Sequence, residues 1–321
     1  MKESPDSGSE GSQKGAERLA VSPGSNNNHL AGALWMVAGG LLFVAVAVMV
    51  RLLGSELPAV EAAFIRYVFG LLILIPVILQ MQWRRVKGAN LRFYALRGVA
   101  HGVAVMLWFF AMARIPISEV TAIGYTTPIF TVVGAVLIFG ERVHMRRIIA
   151  IIIGFIGILI ILRPGFETIE IGSLAQLIAA PCFAISFLIA KKLTSTENTS
   201  DTLVMLSIFC TLALMPGAIY LWKTPTVIEL GWLFLVAVFA TAGHYAITRS
   251  IANAPLTVTQ PFSFLQLVWA ILFGYLIFGE VPDLWVLIGA TIIVATISYM
   301  SHREAVASRQ QKLQSSSSMP I

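Results

Sequence analysis

Six ionisable residues of this chain lie within long apolar stretches, where a charge is hardest to accommodate. Holding such a group inside an apolar helix costs on the order of a few kcal/mol, so each is a candidate for a functional role. A buried arginine can bind an anionic or carbonyl-rich ligand, while a carboxylate or an imidazole can take up and release a proton. The six are Glu61, Arg66, Arg97, His101, His244 and Arg249.

Glu61 and Arg66 share one apolar segment but do not form an ion pair along it. They are five positions apart, which places them about 140° apart around a helix. Arg66 is too deep for its side chain to reach the surface easily, so we expect it in a cavity, bound to a substrate or to helix-end carbonyl groups. Glu61 lies about one turn from Pro58, and it either extends toward the surface or faces the same cavity.

His101 follows Arg97 by four positions, so the two side chains share one helical face. Arg97 lies nearer the end of its segment, where it serves orientation. His101 either hydrogen-bonds between helices or exchanges a proton. Glu61 and His101 are therefore the candidates for proton coupling, and we expect His244 and Arg249 to anchor the end of their segment.

The groups that catalysis requires are missing from the sequence. The only aspartates are Asp6, Asp201 and Asp283, and none lies mid-segment, which excludes an aspartyl dyad within a membrane. There is no His-Glu-x-x-His zinc motif and no glycine-rich nucleotide loop. Cys182 and Cys210 lie within apolar segments, where we expect them to pack as small apolar groups. The sequence therefore predicts no enzyme, no metal and no cofactor.

The elements that must position these residues are helices in a lipid bilayer. Of the residues, 57% are apolar and 12% are charged, and the mean hydropathy is +0.83, whereas soluble domains average about 25% charged residues. A helix satisfies its own backbone polar groups in lipid and needs about 20 apolar residues to cross it. Ten such segments, numbered here as spans 1 to 10, predict an all-α membrane protein. They lie near 31–53, 58–80, 93–112, 117–139, 146–162, 172–190, 201–222, 229–249, 255–278 and 284–300.

The ten spans form an internal repeat. Phe43 matches Phe183 at a shift of 140, and the run Leu137–Glu141 matches Leu276–Glu280 at a shift of 139. With five spans in each copy, the second copy enters the membrane from the opposite face, which predicts an inverted 5+5 repeat of transmembrane helices. In chain order we expect a disordered cytoplasmic tail, two five-span halves and a second such tail: 1–30, 31–163, 172–300 and 301–321.

The repeat also matches a polar and an aromatic residue on one face of span 4 with a similar pair on span 9. Thr121 and Tyr125 correspond to Gln260 and Phe264. Facing each other across a cavity, the two rings could sandwich a planar ligand while the polar side chains hydrogen-bond to it. The alternative is a packed aromatic seam between the two spans. Further candidates for substrate binding are Trp108 and Gln266.

A Gly-Glu step ends each of spans 4 and 9, at Gly140-Glu141 and Gly279-Glu280. The glycine stops the helix, and the carboxylate follows it near the membrane surface. By the symmetry of the repeat, one step lies on each face of the membrane. We interpret the two steps as paired hinge or gate elements rather than as binding groups.

Lys and Arg are unevenly distributed between the two sets of loops. If the amino terminus is inside, the outer loops hold only Arg51, Arg114, Arg163 and Lys223, and the inner loops and carboxyl tail hold most of the others. This bias predicts a multi-pass protein of the bacterial inner membrane with both termini in the cytoplasm. The net charge of +6 therefore reflects topology, and we expect no nucleic-acid partner.

These motifs resemble those of a known family. Span 4 with its proline (Thr126–Phe130) and the Phe-Gly-Glu ends of spans 4 and 9 resemble the EamA branch of the drug/metabolite transporter superfamily, over roughly residues 31–300. The segments Glu61–Tyr67 and Phe278–Trp285 are similar to the bacterial subgroup that contains S-adenosylmethionine carriers and riboflavin transporters. In that subgroup Arg66 falls at the arginine of span 2, which implies a functional or structural requirement for it.

The repeat and the resemblance together predict a secondary carrier for a small organic metabolite, such as riboflavin or S-adenosylmethionine. Its partners would be that solute, the bilayer and protons, and both a monomer and a homodimer are compatible with the sequence. An exporter of amino acids or toxic compounds is the alternative, because it would share every feature. A non-transporting scaffold ranks below both, since the loops are only about ten residues long.

Overall fold

The structure is a computed structural model that describes residues 24–81, 90–139, 145–163, 169–193, 199–254, 259 and 262–317. Every regular element in these ranges is helical, and each of the ten predicted spans contains at least one helix. Five of them are long and apolar enough to cross a membrane unbroken, in spans 1, 3, 6, 7 and 8. The prediction of an all-α membrane protein with ten spans is confirmed.

The first half of the chain holds three continuous and two interrupted spans. Span 1 is Gly24–Leu53, span 2 is Ala59–Ile73 followed by Ile75–Gln80, span 3 is Leu91–Met112, span 4 is Ile117–Gly124 followed by Thr127–Phe139, and span 5 is Met145–Leu162.

In the second half, one helix is described for each span. Span 6 is Ile171–Leu193, span 7 is Thr199–Tyr220, span 8 is Val227–Asn253, span 9 is Leu265–Phe278, and span 10 is Leu284–Ser317.

A proline follows each of the two interruptions in the first half. Pro76 and Pro128 cannot donate the backbone hydrogen bond that would continue the helix behind them. The first helix of span 2 accordingly ends at Ile73, and the first helix of span 4 ends at Gly124. Tyr125 therefore lies at a break in the helix, in the middle of the span.

Both ends of the helical region extend beyond the predicted spans. Span 1 begins at Gly24, within the segment expected to be a disordered tail. Span 10 continues to Ser317, past the expected end at residue 300. The added residues at this end include Ala, Glu, Arg, Lys, Gln and Leu but neither Gly nor Pro, so good helix formers explain the extension.

The packing of the helices follows the symmetry of the repeat. Span 1 packs against span 8, and span 3 packs against span 6. Spans 2 and 7 pack against each other, as do spans 5 and 10. Exchanging each span for its counterpart in the other half leaves this set of pairs unchanged, as expected for two halves related by a pseudo-two-fold axis.

Glycines allow the closest of these approaches. A Cβ atom added to Gly289 on span 10 would lie 2.6 Å from the carbonyl oxygen of Gly157 on span 5, and one on Gly157 would lie 3.0 Å from the carbonyl oxygen of Gly289. Small residues let two helix backbones meet in lipid, where packing drives association. Here they serve contacts within the chain.

Candidate functional site

A small cavity of about 30 Å³ lies between spans 2, 3, 7 and 8. These spans are two repeat-related pairs, since span 2 corresponds to span 7 and span 3 to span 8. Its wall is mostly apolar, and its polar side chains are Arg66, Tyr67, His101, Ser207, Thr241 and His244. A mainly apolar wall with a few convergent polar groups is typical of small-molecule sites, and a cavity of this volume must widen to admit a metabolite.

The cavity is nearer to one face of the molecule. We call the face at which span 1 begins and span 10 ends the termini face, and the other the opposite face. Leu74, at the end of the first helix of span 2, and Leu203, in the first turns of span 7, both line the cavity and lie toward the termini face. His101 lines it from the middle of span 3.

Arg66 is the one formally charged side chain among the described lining residues. Only 8% of its surface is exposed. Its Nε and Nη1 have no hydrogen-bond partner among the described residues, and its Cζ lies 4.3 Å from the centroid of the Tyr67 ring. The sequence placed Arg66 in a cavity, bound to a ligand or to carbonyl groups. It lies on the cavity wall, and two of its nitrogens are unpaired there.

His101 joins two helices as well as lining the cavity. Its Nδ1 lies 3.1 Å from Oγ of Ser186 on span 6, and its ring meets the Phe183 ring edge to face, with centroids 5.2 Å apart. The sequence offered a hydrogen bond between helices and proton exchange as alternatives. The structure shows the hydrogen bond, and it also places the ring on the cavity wall. The role of His101 in proton coupling stays a prediction.

His244 lies elsewhere than the sequence suggested. It was expected to anchor the end of span 8 at the membrane surface, but it lines the cavity. Its ring meets Phe43 of span 1 edge to face, with centroids 5.1 Å apart. The expectation was wrong because the position along span 8 gives depth only, while the side chain points toward spans 1 and 2 rather than toward lipid.

Two hydroxyl groups complete the polar wall. Ser207 Oγ donates to the carbonyl of Leu203, and Thr241 Oγ1 donates to the carbonyl of Ala237, at 3.2 and 2.8 Å. Each donor is used by the residue's own helix, which leaves oxygen lone pairs facing the cavity. The sequence reasoning missed both residues, because a serine or threonine within a span carries no signal of which way it faces.

Glu61 is buried away from this cavity. It is fully buried, and its Oε2 accepts the backbone N–H of Lys223 at 3.0 Å, while its Oε1 has no hydrogen-bond partner among the described residues. The carboxylate therefore links the start of span 2 to the loop after span 7, on the opposite face. It neither extends to the surface nor lines the cavity, the two arrangements that the sequence offered.

Tyr125 and Phe264 are in direct contact. Their ring centroids are 5.4 Å apart and their planes are perpendicular, at 89°. The Tyr125 hydroxyl accepts the backbone N–H of Leu267 at 3.1 Å, in the first turn of span 9. This is the packed seam that was the alternative to a sandwich, because edge-to-face rings at this distance leave no space for a third ring between them.

The other predicted substrate-binding residues are dispersed. The Thr121 hydroxyl donates to the Ile117 carbonyl of its own helix at 2.8 Å. Trp108 packs against the core beside Phe109, and Gln266 packs against Gly40 of span 1. None of these three lines the cavity, and Gln260 lies outside the described residues.

A second polar cluster lies at the opposite face. Glu280 forms an ion pair with Arg51 at 2.8 Å and accepts the backbone N–H of Ile117 at 3.0 Å. Arg51 also donates to the carbonyl of Ile115 at 2.6 Å. Gly279, just before Glu280, ends span 9 with φ 67°, a left-handed conformation that glycine adopts without strain. The cluster ties the ends of spans 1, 3 and 9 to the start of span 4.

The matching Gly140 and Glu141 lie outside the described residues. The sequence reasoning treated Arg51 only as a loop charge and missed its contact with Glu280. A signal was present, because the repeat places another basic residue, Lys191, at the position that corresponds to Arg51. A basic residue kept at one position in both halves, beside a repeated Gly-Glu step, suggests a structural partner for the glutamate.

Comparison with known proteins agrees with the organisation of the chain as two repeated halves. The model of the EamA-like transporter family matches residues 30–163 and 170–301, one copy in each half. The chain belongs to the EamA-like transporter family. Membership also makes it a transporter of the membrane rather than an enzyme, as the sequence predicted.

Several relatives extend this family assignment. The chain is 28% identical to the "S-adenosylmethionine uptake transporter" of Rickettsia bellii, over 86% of this chain and 95% of that protein. It is 30% identical to the "Riboflavin transporter" of Vibrio cholerae, over 88% and 97%, and 31% identical to the "Riboflavin transporter" of Rhizobium johnstonii, over 89% and 95%. This EamA protein is therefore a small-metabolite transporter, and the predicted resemblance to this subgroup is confirmed.

A protein of known crystal structure shares the fold. It superimposes with a TM-score of 0.54 at 16% sequence identity, covering 85% of this chain and 98% of the other. At that identity the match concerns the fold alone.

Proposed function

We propose that this EamA transporter is a secondary carrier of the bacterial inner membrane that moves its solute by alternating access, with the cavity around Arg66 as the binding site. One observation carries the proposal: repeat-related spans from both halves enclose a cavity in which a buried arginine has unpaired N–H groups. Solute sites in transporters built from inverted repeats lie near the midplane where the halves meet.

The cavity lies toward the termini face. With both termini in the cytoplasm, this is an inward-facing state of the carrier. The loop charges support that orientation. The Arg51–Glu280 cluster then acts as the outer closure, and Gly279 as the hinge beside it. Opening outward requires Glu280 to leave Arg51 and the N–H of Ile117 together.

Riboflavin and S-adenosylmethionine are the first solutes to test, and uptake is the direction. Similar proteins named for these two solutes, spanning almost their full lengths, support the choice. Of the two candidates for proton coupling, His101 is favoured over Glu61, because only His101 lines the cavity.

The test is uptake by proteoliposomes that contain the purified protein. Labelled riboflavin, S-adenosylmethionine and a mixture of amino acids are offered to the wild type, to the Arg66→Ala variant and to empty liposomes. Saturable uptake of riboflavin or S-adenosylmethionine by the wild type, lost in the variant, is expected. Saturable transport that Arg66→Ala leaves unchanged would overturn the assignment of the cavity. Flux of amino acids alone would favour the exporter alternative.

A further inference from the structure

The charges around the cavity select among solutes. We propose that this site accepts neutral or anionic metabolites that present a planar pair of acceptor atoms to Arg66, and that it discriminates against solutes with a net positive charge. This inference rests on the proposed function and adds the class of substrate to it.

The unpaired groups of Arg66 are the first support. A guanidinium removed from water without a partner is strongly unfavourable. Two of its nitrogens are nevertheless unpaired among the described residues, although the side chain is more than nine-tenths buried. A ligand that supplies two acceptors in one plane would engage one of these nitrogens together with the neighbouring Nη2, as a carboxylate does in a bidentate pair.

The rest of the wall gives the second support. Among the described lining residues there is no Asp or Glu. Glu61 lies away from the cavity, where it accepts the N–H of Lys223 at the opposite face. An aromatic face can also attract a cation, but the Tyr67 ring already lies against Arg66. A cationic solute would therefore meet one buried positive charge and two imidazoles, with nothing to compensate its charge.

These features separate the two solutes for which the relatives are named. The flavin ring is neutral and carries adjacent ring-nitrogen and carbonyl-oxygen acceptors in one plane. S-adenosylmethionine has a carboxylate, but its ammonium and sulfonium groups give it a net charge of about +1 at neutral pH. The site is therefore expected to prefer riboflavin. S-adenosylhomocysteine differs from S-adenosylmethionine by the loss of the sulfonium methyl group and its charge, so it isolates the effect of charge.

The experiment measures affinity for these three compounds in the detergent-solubilised full-length protein, by quenching of flavin fluorescence and by displacement of labelled ligand. The expected result is that riboflavin and S-adenosylhomocysteine each bind at least about tenfold more tightly than S-adenosylmethionine, which corresponds to about 1.4 kcal/mol. Binding of riboflavin alone would support the inference as well. Binding of S-adenosylmethionine as tight as that of either other compound would overturn it.

Failure of the inference is distinguishable from failure of the carrier function. If none of the three compounds binds, the inference is wrong. Saturable uptake of an amino acid by the proteoliposomes would leave the carrier standing in that case, whereas absence of all transport would overturn both.

Variants of Arg66 then test whether the ligand presents a planar pair of acceptor atoms to this side chain. Arg66→Lys keeps the charge but loses the fork, and it is expected to weaken binding of riboflavin at least tenfold. Arg66→Gln is expected to weaken binding and to reduce the discrimination against S-adenosylmethionine. Arg97→Gln is the matched control, because Arg97 is a second arginine within the spans that does not line the cavity and donates to the Thr202 carbonyl instead. Unchanged affinity in a folded Arg66→Gln protein would contradict the proposal.

Discussion

Arg51 and Glu280 form an ion pair across the opposite face of the molecule, with 2.8 Å between Nη2 and Oε1. The pair joins the end of span 1 to the residue after Gly279, where span 9 stops. Glu280 is only 10% exposed, and its second oxygen accepts the N–H of Ile117 at the start of span 4. One carboxylate thus connects three spans drawn from both halves of the repeat.

Removing this carboxylate should loosen the closure. The reporter is a cysteine placed at Ser207, in a background without Cys182 and Cys210. An impermeant maleimide is added to the opposite face of oriented proteoliposomes. We expect Glu280→Gln to raise labelling of this cysteine several-fold. An amide at this position loses the ion pair and leaves the mostly buried Arg51 guanidinium without its counter-charge, which is more costly than the same change in an exposed pair.

Glu56→Gln is the control for this experiment. Glu56 pairs with Lys223 at 3.2 Å on the same face of the molecule, but the two side chains are 79% and 57% exposed. That variant should label like the wild type. Equal labelling of the Glu280→Gln protein and the wild type would show that the Arg51–Glu280 pair does not close this face.

Replacing His101 and replacing Glu61 should have different effects on proton-driven uptake. The titratable or charged groups at the cavity are Arg66, Tyr67, His101 and His244, and Glu61 is not among them. We expect His101→Gln to abolish stimulation of uptake by an imposed pH gradient while Glu61→Gln retains it. Uptake is measured with and without the gradient. Retention in both variants would exclude proton coupling through either group.

Close packing of spans 5 and 10 gives a prediction about stability. A Cβ on Gly289 would lie 2.6 Å from the Gly157 carbonyl oxygen, so Gly289→Ala should force the two helices apart at a cost of about 1–3 kcal/mol. Thermal unfolding in detergent measures this as a lower Tm. Gly231→Ala is the control, because nothing lies within 4 Å of a Cβ there, and it should leave the Tm unchanged or raise it slightly. Equal Tm values for the two variants would contradict the packing described.

The Tyr125 hydroxyl should contribute to stability rather than to binding. Tyr125→Phe removes the acceptor for the N–H of Leu267, and the loss of one such hydrogen bond costs about 0.5–1.5 kcal/mol. We expect a lower Tm with the KM for the transported solute unchanged. A large rise in KM without a change in Tm would instead return Tyr125 to the substrate site.

How much the sequence could predict depends on whether a property is local. The hydropathy and the repeat predicted the helices and the glycine stop at Gly279, because both signals are carried by neighbouring residues. The contact between Arg51 and Glu280, and the turning of His244 toward the cavity, depend on how distant helices rotate against each other. Position along a span gives depth in the membrane, and only tertiary packing decides which face looks into the cavity.

The matched aromatic pair Tyr125 and Phe264 shows a second limit of prediction from the sequence. The repeat correctly brought Tyr125 and Phe264 together, since their rings are in contact. It did not predict the distance between them, which separates a packed seam from a site that holds a ring. The cavity instead formed between spans 2, 3, 7 and 8. The matched residues there differ in type, Arg66 with Leu206 and Tyr67 with Ser207, so the repeat did not single them out as a pair.

The central claim is that solute is carried through the cavity at Arg66, and uptake kinetics of Arg66→Gln beside Arg97→Gln in proteoliposomes test it most directly. Both arginines lie within the spans, but only Arg66 lines the cavity. The expected result is a loss of at least about tenfold in kcat/KM for Arg66→Gln, which corresponds to about 1.4 kcal/mol, with Arg97→Gln close to the wild type and both proteins folded. Wild-type kinetics in folded Arg66→Gln would contradict the account.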